Sequence, residues 1–102
     1  MILYILKYIK YIIKMDLEKE FQNSINLIKN IENIDNDDML ILYGLYKQIT
    51  EGDCSTPQPW SFQTIYRSRW EAWYRNIGLQ RSIAIQKYIE KVNEIVKKVN
   101  IL

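Results

Sequence analysis

The chain has no histidine, a single cysteine, two prolines and three glycines among its 102 residues. The missing histidine removes the commonest general base and the commonest metal ligand. A lone thiol, Cys54, rules out an internal disulfide and suits a reducing compartment. No Gly-rich phosphate loop occurs, and no nucleophile has an obvious base, so catalysis has little to stand on. The net charge of +2 is too small to point to nucleic acid, so any cationic chemistry must be local.

What is present favours a compact helical protein. Hydrophobic residues make up 48 % and charged residues 25 %, the balance of a soluble globular chain. The length allows one domain with a modest core. Few breakers and long apolar periodicities predict an all-α fold.

Residues 1–14 stand apart from residues 15–102. They hold Lys7, Lys10 and Lys14 and no acid. At ~100° per residue the lysines share one face. Ile2, Ile5, Ile9, Ile12 and Ile13 fall opposite, with Tyr4, Tyr8 and Tyr11 on the border. That is the pattern of an interfacial amphipathic helix, too short and too charged to span a bilayer. A signal peptide is not expected, since the basic n-region and the cleavage site are missing. Met15-Asp16-Leu17-Glu18 itself reads as a start, so residues 1–14 are either an upstream-start segment or a genuine extension.

Four further segments carry helical signals. The first is predicted over Leu17 to Ile31, with Phe21, Ile25 and Ile28 as its stripe and Asp16 as its cap. Glu32 to Asp37 is polar and reads as a loop. Asn36 or Asp37 is the expected cap of a second helix that runs to Glu51 and stops at Gly52. A long loop, Asp53 to Thr64, precedes a third helix over Ile65 to Ile77. The fourth covers Gln80 to Asn100, with Ile85, Tyr88, Ile89, Val92 and Ile95 inward and Lys87, Glu90, Lys91, Glu94 and Lys98 toward water.

The second helix is apolar on two sides. Leu42, Leu45 and Ile49 belong to a core, while Met39, Leu40, Tyr43, Tyr46 and Lys47 occupy another sector that needs its own partner. Tyr43, Tyr46 and Lys47 share a face at i, i+3 and i+4. Downstream lies Arg67-Ser68-Arg69-Trp70-Glu71-Ala72-Trp73. Aromatic faces beside fixed cations suit a stacked base and a phosphate. Taken singly, each tyrosine also fits a core position with a surface hydroxyl, and Trp70 and Trp73 fit helix packing better than ligand contact. The acidic run Asp35-Asn36-Asp37-Asp38 lacks the glycine and the terminal glutamate of a calcium loop, and helix capping explains it better.

The ordered set Met39-Leu40, Tyr43-x-x-Tyr46-Lys47-Gln48-x-Thr50, Arg69-Trp70-x-Ala72-Trp73 and Ala84-x-x-x-Tyr88-Ile89-x-Lys91-Val92 resembles the acyl-CoA-binding protein family, over about Phe21 to Val99. The resemblance implies an up-down four-helix bundle and a non-catalytic carrier of medium- to long-chain acyl-CoA esters, without a cofactor. It implies that Tyr43, Lys47 and Arg69 hold the 3′-phosphate and that Tyr46 stacks on the adenine. Tyr88 would contact the ribose or phosphate region. Met39 and Leu40 would line the acyl path, with Ile25 and Lys29 closing the other side. A cytoplasmic monomer is expected, with membrane contact through residues 1–14 left open.

The sequence departs from the family pattern in places. Arg69 stands where lysine is usual, Ile65 where many members carry a further lysine, and Ile25 where a small alanine is common. The loop Glu32 to Asp38 is one residue short, which bears on Lys29. Pro59-Trp60-Ser61-Phe62 replaces a more glycine-containing loop. Two other readings stay open: an adaptor whose aromatic face takes a partner helix, and a degenerate member that docks on membranes.

Overall fold

The computed structural model describes residues 1–101, with side chains through Asn100. Four helices follow one another: α1 (Ile2–Lys29), α2 (Asn36–Glu51), α3 (Thr64–Tyr74) and α4 (Arg81–Ile101).

Helix α1 fuses what the sequence reads as two segments. No glycine or proline occurs before Gly44, so nothing interrupts the backbone between the amphipathic stretch and the Phe21 stripe. Asp16, the expected cap, is an interior helical residue. The helix ends at Lys29, two residues before the expected end at Ile31, and the N–H of the capping Asn30 reaches Leu27 O at 3.2 Å.

Asp35 caps α2, one residue before the earlier of the two expected caps. Its carboxylate accepts the Asp37 N–H at 3.3 Å, while Asp37 and Asp38 complement the dipole in the first turn. Gly52, at φ 80°, ends α2 as expected. Helix α3 stops at Tyr74, and the chain then tightens through short turns to Gly78 at φ 85°.

The pair α2 and α4 forms the middle of the bundle. Helix α3 packs on the outer side of α2, and α1 packs on α4. The α2–α3 approach is close because Gly44 has no side chain. A Cβ there would sit 2.6 Å from the Ala72 carbonyl carbon. The core joins Phe21 of α1, Leu42, Leu45 and Ile49 of α2, and Ala84, Ile85, Tyr88, Val92 and Ile95 of α4. Leu17 is the first residue of α1 packed against it.

The long loop is pinned by tryptophan. The Trp73 indole donates to the Gly52 carbonyl at 2.8 Å, and the Trp70 indole donates to Thr56 O at 2.9 Å. Both side chains thus serve packing. Lys91 does not face water as its helical position suggests. Its ammonium lies 2.8 Å from Asp38, which is only 5 % exposed, and Lys98 reaches the other carboxylate oxygen at 3.1 Å. Asp38 therefore ties the start of α2 to α4. Arg81 bonds Glu18 and donates to Ile49 O, which locks α1 to the start of α4.

Candidate ligand-binding cleft

Helices α1 and α2 both lean on α4, yet their backbones do not pack against each other. The space between them is a cleft of about 590 Å³. Ile28 and Lys29 from the end of α1 form one wall. Met39, Leu42, Tyr43 and Tyr46 from α2 form the other, and Tyr88 of α4 forms the floor. The connection between the helices closes one end with Ile31, Asn33 and Ile34. Asn33 takes φ 62°, a left-handed geometry that asparagine tolerates.

Behind the cleft, Phe21 braces the aromatic residues. It meets Tyr88 edge to face at 5.1 Å between ring centroids and Tyr46 at 6.3 Å. Tyr88 is 4 % exposed, and its hydroxyl finds no hydrogen-bond partner among the described residues. Burial pushes its ionisation upward, reinforced by Tyr46 beside it, so the hydroxyl stays a neutral donor.

Cations sit at two places. Lys29 belongs to the cleft wall. Arg69 and Lys47 stand on the α3 side of α2. The Arg69 guanidinium carbon lies 5.9 Å from the centre of the Tyr43 ring, and the Lys47 ammonium lies 4.7 Å from the Trp73 ring. Lys47 is ion-paired with Glu51 one turn along α2, which holds its ionisation above the usual lysine range. One tyrosine, Tyr43, thus has the cleft on one side and a cation on the other.

Two candidate residues lie elsewhere. Leu40 is a half-buried wall residue of grooves on the α3 side of α2, shared with Ile65 and Arg69 and with Ile41 and Leu45. Ile25 follows Phe21 by one turn and packs with it into the core, outside the cleft wall. Conversely, Ile31 and Ile34 line the cleft though they were read as helix end and polar loop. Two isoleucines flanking Glu32-Asn33 were the available signal.

Residues 18–92 match the model of the family described as Acyl CoA binding protein. The chain belongs to the acyl-CoA-binding protein family. It is 39 % identical over 82 residues to acyl-CoA-binding domain-containing protein 3 of Oryza sativa, covering 79 % of this chain and 53 % of that protein. It is 38 % identical over 79 residues to human enoyl-CoA delta isomerase 2, covering 76 % of this chain and 20 % of the isomerase. The chain therefore spans about half of one relative and a fifth of the other. The crystal structure of Oryza sativa acyl-CoA-binding protein 2 superposes with a TM-score of 0.81 at 35 % identity, over 85 % of this chain and 96 % of that one. Membership supports acyl-CoA binding, and it accounts for an all-α bundle with a cleft that no side chain fills.

Proposed function

We propose that this chain binds medium- to long-chain acyl-CoA esters between α1 and α2 and carries or pools them in the cytoplasm without converting them. The observation that carries the reading is Tyr88, which lines the floor of a cleft that no side chain fills. Around it, Tyr46 offers an exposed ring to a purine, and Tyr43, Arg69 and Lys47 offer a hydroxyl and two cations to a phosphate. Met39, Ile28, Ile31 and Ile34 offer an oily wall to the tail. Conversion has no support: the chain has no histidine to serve as a base, and the Cys54 thiol, with Thr56 at 3.9 Å and Lys47 nearby, has no paired acceptor to take its proton.

Each methylene laid on the apolar wall contributes about 0.8 kcal/mol. Affinity should rise with tail length until the wall is covered and then level off. Calorimetry with palmitoyl-CoA, free CoA and palmitate tests both halves of the site. The ester should bind far more tightly than either fragment. Equal affinity for palmitate and its CoA ester would rule out a head-group site.

A further inference from the structure

The first half of α1 belongs to no part of the cleft or core. From Ile2 to Met15 every residue is exposed, including Leu3, Leu6 and five isoleucines, among them Ile2 at 75 % and Ile13 at 60 %. This part of the helix runs ahead of Leu17 and lengthens the molecule to 59 Å along its longest axis.

We propose that residues 2–15 are an interfacial helix that docks this protein on an anionic lipid surface. The inference rests on this segment alone and is independent of what the cleft binds. Among the described residues no helix is long and apolar enough to cross a membrane, so the segment lies on a bilayer and does not span it.

Charge selects the occupant. Lys7, Lys10 and Lys14 lie within a sector of about 60°, and residues 1–15 contain no acid. A second copy of this helix carries the same lysines and no acid, so it offers them no opposite charge. An anionic headgroup layer supplies the missing negative charge, at a gain of about fivefold in affinity per lysine. Tyr4, Tyr8 and Tyr11 run along one border, the place where amphipathic rings settle at headgroup level.

The helical register lets the docking happen without a collision. Leu17, Phe21 and Ile28, which face α4, share their angular position with the three lysines. The face formed by Ile2, Ile5, Ile9, Ile12 and Ile13 lies roughly 120° round from that direction, away from the bundle. Along the same side of the bundled part of α1 lie Asp16, Glu20 and Asn23, all exposed. The oily strip therefore ends at Asp16, and the bundle stands clear of the surface. Because α1 is continuous, the docked segment fixes the orientation of the bundle above the lipid.

Co-sedimentation of the full chain with phosphatidylcholine vesicles, with and without phosphatidylserine, tests this. The chain should pellet with the mixed vesicles and far less with the neutral ones, and salt should weaken the effect. Ile5→Glu with Ile9→Glu should abolish pelleting and leave the melting temperature unchanged. Lys7→Gln, Lys10→Gln and Lys14→Gln together should lower partitioning on the order of a hundredfold. No pelleting with the mixed vesicles would overturn the proposal. So would pelleting that survives the isoleucine changes, or a solution dimer that those changes dissolve while vesicles bind nothing.

Discussion

Lys47 gives the sharpest test of the head-group site, because the ammonium is already engaged. A charge-assisted bond to a phosphate contributes about 1.5–3 kcal/mol. To make one, Lys47 must leave Glu51, and an i, i+4 pair is worth about 0.3–0.5 kcal/mol. The balance is about 1–2.5 kcal/mol, so Lys47→Met should weaken palmitoyl-CoA binding by about 5–70-fold. Arg69 is exposed, and its contact is worth about 0–1 kcal/mol, so Arg69→Met should cost at most about fivefold and should fade in high salt. Glu51→Gln should act in the opposite sense, because it frees the ammonium and removes a repelling carboxylate. The decisive measurement is a cycle in which the second change is made in the ligand. Calorimetry of wild type and Lys47→Met with palmitoyl-CoA, and with the ester lacking its 3′-phosphate, yields the coupling between ammonium and phosphate. If Lys47→Met weakens both esters equally, Lys47 does not hold the 3′-phosphate and the phosphate site lies elsewhere.

Tyr88→Phe should leave urea unfolding unchanged, since the hydroxyl has no protein partner to lose, yet should weaken acyl-CoA binding by about 2–10-fold; a matching loss of stability would show that the hydroxyl is structural. Asp38→Asn should cost about 2–3 kcal/mol, because it breaks charged bonds to Lys91 and Lys98, and should lower the melting temperature by about 8–20 °C. The Lys91 ammonium holds the Asp38 carboxyl below the usual aspartate range, so this stability is complete above its unfolded value of roughly 3.9 and drains away as pH falls through the lower folded value. Wild type and Asp38→Asn should therefore differ most from about pH 5 upward and converge in acid, which chemical denaturation across pH will show. Gly44→Ala gains helix propensity of about 1 kcal/mol but drives a methyl into the Ala72 carbonyl, so a net loss of about 1–2 kcal/mol in urea unfolding is expected.

Local chemistry was legible in the sequence, and relations between helices were not. The 3.6-residue stripe of α4 marked Ile85, Tyr88, Val92 and Ile95 as core, and the structure buries all of them. The same periodicity put Lys91 in water, because its partner Asp38 sits on another helix and leaves no trace in the local pattern. The cap of α2 slipped because Asp35, Asn36 and Asp37 are chemically equivalent cap residues, and only backbone geometry separates them. Two sides of α2 were seen to need partners. One of them holds Met39, Tyr43 and Tyr46 in the cleft, but Leu40, grouped with them, turns toward α3. The cleft itself could not be read, because it arises where α1 and α2 fail to meet, and a missing contact has no sequence signature.

That gap follows from how α4 divides its surface. One strip takes α2, another takes α1, and Phe21 with Tyr88 keeps the two apart at the level of Tyr46. Only the part of α1 from Leu17 onward takes part. The preceding residues bury nothing in water, and five of them are β-branched isoleucines with modest helix propensity. Alone, a helix shorter than ~12–15 residues is marginal in water. Here the bundled half of α1 supplies the nucleus, so the segment only has to propagate, turn by turn, with little free energy holding it. Its backbone should open readily in solution and gain protection only when its isoleucines are covered. Hydrogen exchange should show fast amides over residues 5–15 and slow ones from Phe21, with the first group slowing on anionic vesicles and not on addition of palmitoyl-CoA. Uniform protection along the whole of α1 in free solution would mean that something other than propagation from the bundle stabilises the segment.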